Sequence, residues 1–242
     1  MVFLLVLAFG AASGAEQAIG KQVGRPTQSK PDPNGKPVFK SCADKNQVKL
    51  KKCDPFVLYD TMPGDAFYEN GLGIVRSPSW LGLNEDEDTA AGVLVAVDHD
   101  VLLDSIELPL RFYGGVNELD VYLVNTEQIP ASDTNCDRTS PTELCERPND
   151  RSVIEHWRLV DQAPAFAAVV NVPSVMHPQL TSGVRYWVYI SVPAPDSAVG
   201  WYVRNQNYPG PHFGWSQRNS AIGFQWRTAP EGGMAIRVTA LH

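Results

Sequence analysis

Ile106-Glu107-Leu108-Pro109-Leu110-Arg111-Phe112, followed shortly by Leu119-Asp120-Val121-Tyr122-Leu123-Val124, decides the fold. In both stretches an apolar side chain recurs at every second residue. Successive side chains of an extended chain point to opposite faces, so this period describes a strand with one face in a core; a helix needs apolar residues three and four apart. The same alternation recurs at Val93, Val95 and Val97; at Val153, Glu155, Trp157 and Leu159; at Val184, Tyr186, Val188 and Ile190; at Val199, Trp201 and Val203; and at Met234, Ile236 and Val238. No stripe of helical spacing persists for ten residues without Pro or Gly, so helices are expected to be few and short. Turn residues separate the runs, as at Gly114-Gly115-Val116-Asn117, Pro193-Ala194-Pro195-Asp196-Ser197 and Pro230-Glu231-Gly232-Gly233. Roughly ten strands of this kind predict an all-β domain, an antiparallel two-sheet sandwich of jelly-roll type, with a closed barrel as the second choice.

The chain has 242 residues, 43% of them apolar and 19% charged, which excludes a coiled coil, a wholly disordered chain and a collagen-like repeat. It divides into three parts. Residues 1–15 open with the apolar run MVFLLVLAFG and end in the small residues Ala11 to Ala15, the pattern of a secretory signal, although without a basic start. That run is too short to span a membrane, which takes about 20 residues, and no later stretch matches that length, so no transmembrane segment is expected. Residues 16–52 carry Pro26, Pro31, Pro33 and Pro37 among Gln, Ser, Gly and Lys, and read as a disordered basic linker or arm with too little apolar surface to offset the entropy of ordering. Residues 53–242 hold the strands. Lys and Arg outnumber Asp and Glu by nine to three in the arm, and are outnumbered by eleven to 24 in the strand domain. An acidic domain repels phosphates, so nucleic acid is not an expected partner.

Export to an oxidising compartment, secreted or periplasmic, makes the four cysteines readable as disulfides. Three connectivities are open. Cys42 with Cys53 and Cys136 with Cys145 is the favoured one, each pair clipping a short polar loop and contributing about 2–3 kcal/mol. Neither spacing is that of a redox or zinc motif. Thr126 to Arg151 is the longest non-periodic stretch within the domain, contains the second cysteine pair with Pro130, Pro141 and Pro148, and reads as a surface loop.

Several phrases in order resemble one family: Val57-Leu58-Tyr59-Asp60; Leu102-Leu103-Asp104-Ser105-Ile106-Glu107-Leu108-Pro109-Leu110; Leu119-Asp120-Val121-Tyr122-Leu123; Val153-Ile154-Glu155-His156-Trp157; Leu180-Thr181-Ser182-Gly183-Val184-Arg185-Tyr186-Trp187-Val188; and Gly200-Trp201-Tyr202. Over about Cys53 to Ala240 they look like the secreted bacterial β-sandwich domains of the choice-of-anchor type, often found with PEP-CTERM sorting tails. The resemblance implies an exported jelly-roll-like domain with no catalytic set to carry over. Leu241-His242 follow the last strand directly, without such a tail, so surface sorting by that route is not expected.

Among candidate sites, the richest is aromatic. Trp201, Tyr202, Tyr208, His212, Phe213, Trp215, Phe224 and Trp226 are interleaved with amides and with Arg204 and Arg218. Rings stack on the apolar faces of sugars while amide and guanidinium donors address the hydroxyls, so this is glycan-binding chemistry. Trp201 is in phase with Val199 and Val203 and belongs to the core first. Tyr208, His212, Phe213 and Trp215, set among Pro and Gly, are expected on an exposed loop, with Arg218 beside them. In the acidic run Asn84 to Asp88, Glu85, Asp86 and Asp88 are candidate ligands for a structural calcium ion; the run lacks the spaced D-x-D-x-D-G pattern, and a solvated loop is the competing account. No other cofactor is indicated. Asp98-His99-Asp100 reads as turn chemistry, and His156 and His177 as structural. No G-x-S-x-G or H-E-x-x-H motif is present. The reading is an exported, non-catalytic module binding a glycan or a cell-envelope component, the alternatives being a carbohydrate-active hydrolase and a purely structural envelope or matrix protein.

The disulfide reading is open to direct test. The denatured, unreduced protein should titrate no free thiol, and peptide mapping should find Cys42 linked to Cys53 and Cys136 to Cys145; any other pairing removes the two-clip arrangement.

Overall fold

The computed structural model describes residues 54–62, 71–76, 88–129, 145–202, 213–219, 223–229 and 234–241. Those residues form thirteen strands and no helix: β1 (Phe56–Asp60), β2 (Gly71–Arg76), β3 (Asp88–Ala96), β4 (Val101–Gly114), β5 (Glu118–Ile129), β6 (Cys145–Val160), β7 (Ala168–Pro173), β8 (Gln179–Leu180), β9 (Arg185–Ser191), β10 (Ser197–Tyr202), β11 (Phe213–Asn219), β12 (Gly223–Ala229) and β13 (Arg237–Leu241). All pairings are antiparallel. The strands join in the order β1-β13-β4-β10-β2-β3-β9-β5-β6, with β7 and β8 on β4 and the β11–β12 hairpin on β3. The all-β expectation holds, in the form of a curled sheet, a half-barrel.

Strand β4, fourteen residues long, is shared by four partners. On one edge it meets β8 through Val101 and Leu102 and β7 through Ser105 to Leu110. On the other it meets β13 up to Glu107 and β10 from Leu110 onward. Pro109 falls in the gap between those two ladders. A proline cannot donate to a ladder and is normally confined to sheet edges; here the missing N–H faces the place where one partner strand ends and the next begins. Phe112 N–H, three residues on and therefore turned to the other edge, reaches Pro164 O (2.7 Å).

The two strands that share this edge are tied to each other. Ala235 N–H donates to Tyr202 O (2.9 Å), and the indole Nε1–H of Trp201 donates to Ala235 O (2.8 Å). Trp201 is fully buried, as its phase with Val199 predicts. Thr61 closes the far side: its N–H donates to Ile236 O (2.9 Å), its hydroxyl donates to Met234 O (3.0 Å), and that hydroxyl accepts from Ile236 N (2.9 Å).

One face of the curled sheet makes the main core, from Ile74, Val93, Leu103, Ile106, Leu108, Leu110, Leu119, Val121, Leu123, Trp157, Val188, Ile190, Trp201, Ile236 and Val238 among others. The alternating residues of the opening stretches are its centre. A second, smaller cluster, Ala90, Leu94, Val124, Trp187 and Tyr189 with Tyr122 against it, lies on the opposite face of β3, β9 and β5. The strands β12-β11-β3-β9-β5-β6 form one continuous run, and β12 comes back against β6. The curl therefore buries β3 and β9 on both faces, where period two alone predicts half-burial.

A second difference concerns Thr126 to Arg151. The structure pairs β5 with β6 out to Ile129↔Cys145, so strand claims both ends of the expected loop. The reason is two irregularities, between Leu123 and Val124 and between Val124 and Thr126, where the partner strand has extra residues. Bulges shift the phase and erase the alternation without ending the ladder. Within the larger one, Asn125 Nδ2–H donates to Ser152 Oγ (2.7 Å) and Arg151 N–H to Asn149 Oδ1 (3.1 Å).

Truncating Trp201 to alanine should cost about 3–5 kcal/mol, and Trp201→Phe, which leaves Ala235 O without its donor, about 1–3 kcal/mol. Urea denaturation followed by circular dichroism checks both.

Candidate functional site

On the sheet face opposite the main core, register sets a row of rings across three strands. Tyr189 of β9 lies opposite Tyr122 of β5, and Tyr122 opposite His156 of β6. The rings stack like books: Tyr189 and Tyr122 have centroids 4.6 Å apart at 14°, and Tyr122 and His156 4.4 Å apart at 7°. Stacked ring pairs contribute about 0.5–1.5 kcal/mol beyond their buried area. Exposure grades along the row. Tyr189 is buried at 6%, Tyr122 is half-buried, and the His156 side chain is 42% exposed. On the far side of Tyr189 the register places Gly92, whose missing Cβ leaves room for Tyr189 Cβ (2.8 Å from where it would stand) and Trp187 Cε3 (3.4 Å).

Below the rings lies a polar row, Ser191, Asp120 and Arg158. Asp120 is 5% exposed. A buried carboxylate must be paired, and this one accepts from His156 Nε2 (2.9 Å) with Arg158 Nη1 3.8 Å away. Arg158 also donates to Glu118 (2.5 Å), and these carboxylates raise its already high pKa. Burial above all pushes the Tyr122 and Tyr189 phenols upward; the Asp120 charge adds to it at Tyr122, and that of Asp150 at Tyr189. Trp187, fully buried in the same cluster, has an indole N–H with no hydrogen-bond partner among the described residues.

Chemically, the stack spends ring faces on one another and leaves ring edges, one face of His156 and the Arg158 guanidinium to a ligand. Sequence reasoning treats His156 as structural, and its pairing with Asp120 fits that. It did not single out Tyr122, Tyr189, Asp120 or Arg158. Their signal was there, as the polar phase of alternating strands, but only the register shows that they share a row.

The glycan candidates divide. Tyr208 and His212 lie outside the described residues. Phe213, Trp215 and Arg218 are not on a loop as expected: they belong to strand β11, opposite Val93, Ala91 and Asp88 of β3 on one side and Ala229, Arg227 and Phe224 of β12 on the other. Gly and Pro flank this segment rather than interrupt it, which is why it read as loop. Glu85 and Asp86 lie outside the described residues; Asp88 begins β3, with Arg76 Nε 3.6 Å from its carboxylate. Among the described residues no group of three His, Cys, Asp or Glu side chains is placed to hold a metal ion. Cys42, Cys53 and Cys136 also lie outside the described residues, and Cys145 is the first residue of β6. Asp98-His99-Asp100 is a turn: Asp100 Oδ1 accepts from Ser182 N (2.7 Å), Asp98 O from Ser182 Oγ (2.7 Å), and His99 contacts Asp98 and stacks on Phe56 at 5.5 Å. Among the described residues no helix is long and apolar enough to cross a membrane. No family model matches the chain, and no curated protein matches its sequence.

Base titration tests the buried phenols. The Tyr113 phenol on β4 is pushed up to about 12, by burial first and then by Tyr202, and Tyr122 and Tyr189 are raised as well. Unfolded phenols ionise near 10. A phenol held neutral in the fold above that value favours unfolding once the unfolded state can ionise, so its stabilising contribution is full below pH 10 and is lost as pH climbs towards 12. Phenolate absorbance should therefore show part of the eight tyrosines silent between pH 10 and 11 and released together with the loss of β-structure. Smooth ionisation of all eight in the folded protein would contradict these burials.

Proposed function

We propose that this chain is an exported, non-catalytic binding module that takes a glycan at the mouth of the half-barrel. One observation carries the reading: β12 comes back against β6, which brings the β11–β12 hairpin, with Phe213, Trp215 and Arg218 on its first strand, to the strand that bears His156 and Arg158. Two segments rich in rings and cations, distant in sequence, thereby come to neighbouring strands; Arg218, opposite Asp88, is in the register phase of the ring row, whereas Phe213 and Trp215, opposite Val93 and Ala91, are in the phase of the main core. Barrel mouths are frequent ligand sites, and side chains on strands are held with less freedom than those on loops, so less entropy is lost on binding. Tyr208 and His212 stay candidates from the sequence alone.

The finer fold reading belongs here too. A single residue pair, Arg76↔Asp88, joins β2 to β3, and the main core draws side chains from the strands on both sides of that junction. Two layers hinged at one residue pair are what a jelly-roll-like sandwich requires, in line with the resemblance to choice-of-anchor domains. The leader and the short-loop cysteine pairs support a secreted or periplasmic location. A structural calcium ion on Glu85, Asp86 and Asp88 remains part of the proposal, with Asp88 already drawn towards Arg76.

A glycan array tests the reading. Wild-type protein should bind a restricted set of glycans, and Trp215→Ala, Tyr208→Ala and Arg158→Ala should each weaken binding roughly tenfold or more. Absence of binding, or binding indifferent to all three changes, would remove the glycan-binding assignment.

A further inference from the structure

The edge of the sheet at β7 has a composition unlike the rest of the domain. From Gln162 to Val184 the chain runs 23 residues without an Asp, Glu, Lys or Arg, although 19% of all its residues are charged. Along that stretch large apolar side chains stand in water: Phe166 at 80% exposure, Val169 at 47%, Val175 at 80% and Met176 at 68%. β7 pairs with β4 alone among the described strands. Ser174 N–H donates to Asp104 O on β4 (2.7 Å), and alternation turns Val172, Val170 and Ala168 towards β4 and the backbone groups of Val169 and Asn171 away from it. Edge strands are ordinarily guarded by charges, bulges or brevity, because unpaired N–H and C=O groups template another strand. This one has six residues and no charge.

The flank is also built. Glu155 on β6 is 4% exposed, and its carboxylate accepts from Ser174 Oγ (2.7 Å), Val175 N (2.7 Å) and Met176 N (3.1 Å). His177 follows at a positive φ of 45°, with its ring Nδ1 2.8 Å from Leu103 O. A carboxylate withdrawn from water is costly unless its oxygens are satisfied. Here they are satisfied by the turn that displays Val175 and Met176, so the exposed pair is held in one conformation.

We propose that β7 is a self-association edge, paired antiparallel with β7 of a second copy of this chain about a two-fold axis through Val170. Three features select that occupant. The outward backbone groups call for an extended chain, and a two-fold sets Val169 opposite Asn171 and Asn171 opposite Val169, pairing N–H with C=O on both strands. The exposed apolar residues extend past both ends of the strand, Phe166 before it, Val169 on it and Val175 and Met176 after it, which suits a strand and its neighbours rather than one point of insertion into lipid. The folded domain is strongly acidic, so two copies approach each other best across a face without charge.

Sedimentation velocity of the purified protein from about 1 to 100 μM spans the affinities expected of a modest interface. Wild type should shift from monomer to dimer. Val169→Lys sets two like charges across the axis and should raise the dimer dissociation constant roughly tenfold or more, as should Phe166→Asp at the flank. Both positions are exposed, and an unchanged near-ultraviolet spectrum shows that each variant is folded. Wild type that stays monomeric throughout, or folded variants that dimerise like wild type, would overturn the proposal. So would a monomer that floats with phosphatidylcholine vesicles and loses that behaviour in Val169→Lys, which would assign the stripe to lipid.

Discussion

Everything in this fold is arranged around β4, because one strand supplies backbone partners to β7 and β8 on one edge and to β13 and β10 on the other. That division works only if the chain has nothing to donate where β13 ends and β10 begins, and Pro109 meets the condition. The same strand sends Leu103, Ile106, Leu108 and Leu110 into the core with no measurable exposure. Burying each such side chain contributes about 1.5–3 kcal/mol, whereas a ladder hydrogen bond contributes about 0.5–1.5 kcal/mol net. Burial therefore drives the strand inward, and hydrogen bonding decides which neighbours it can have. One extra residue on β4 near Asp104, where Ser105 faces Thr239 but Leu103 faces Ala240, keeps both halves of the strand facing the core.

The legible part of the sequence was the part where those two requirements coincide. Around Ile106 to Leu110 and Leu119 to Leu123 a regular ladder and a one-sided core give strict alternation, and reading it as strand was enough. At Thr126 to Arg151 the ladder persists through bulges, the phase is lost, and pattern alone reads loop. At β9 the run Tyr186 to Ile190 is buried on both faces, yet its alternation looks like that of a half-buried strand because aromatic residues occupy the second phase. The ring row was hidden for a different reason. Tyr122, His156 and Tyr189 occupy the phase of their strands that faces away from the main core and become a unit only through cross-strand register, which sequence period does not encode.

The charged groups of the described region show what a β-fold of this size does with buried polarity. Asp120 is held by His156 and Arg158, Glu155 by a hydroxyl and two backbone N–H groups, and Arg237 joins Asp60 (3.0 Å) to Glu107 (2.9 Å) across β1, β13 and β4. Each pairing crosses between elements. Exposed ion pairs of the Arg237 kind contribute little to stability, so their use lies in fixing register. Buried ones such as Glu155 specify a local conformation, and removing their partners would strand a charge in a low dielectric.

The ring row also sets a limit on how a glycan can be held. Flat sugars stack on open ring faces, and between Tyr189 and Tyr122, and between Tyr122 and His156, the faces are already used. The free aromatic surface of the row therefore lies at its ends and edges. On the neighbouring hairpin the register sets Phe213 and Trp215 opposite Val93 and Ala91, in the phase of the main core, and Arg218 opposite Asp88, so of these three only Arg218 shares the phase of the ring row.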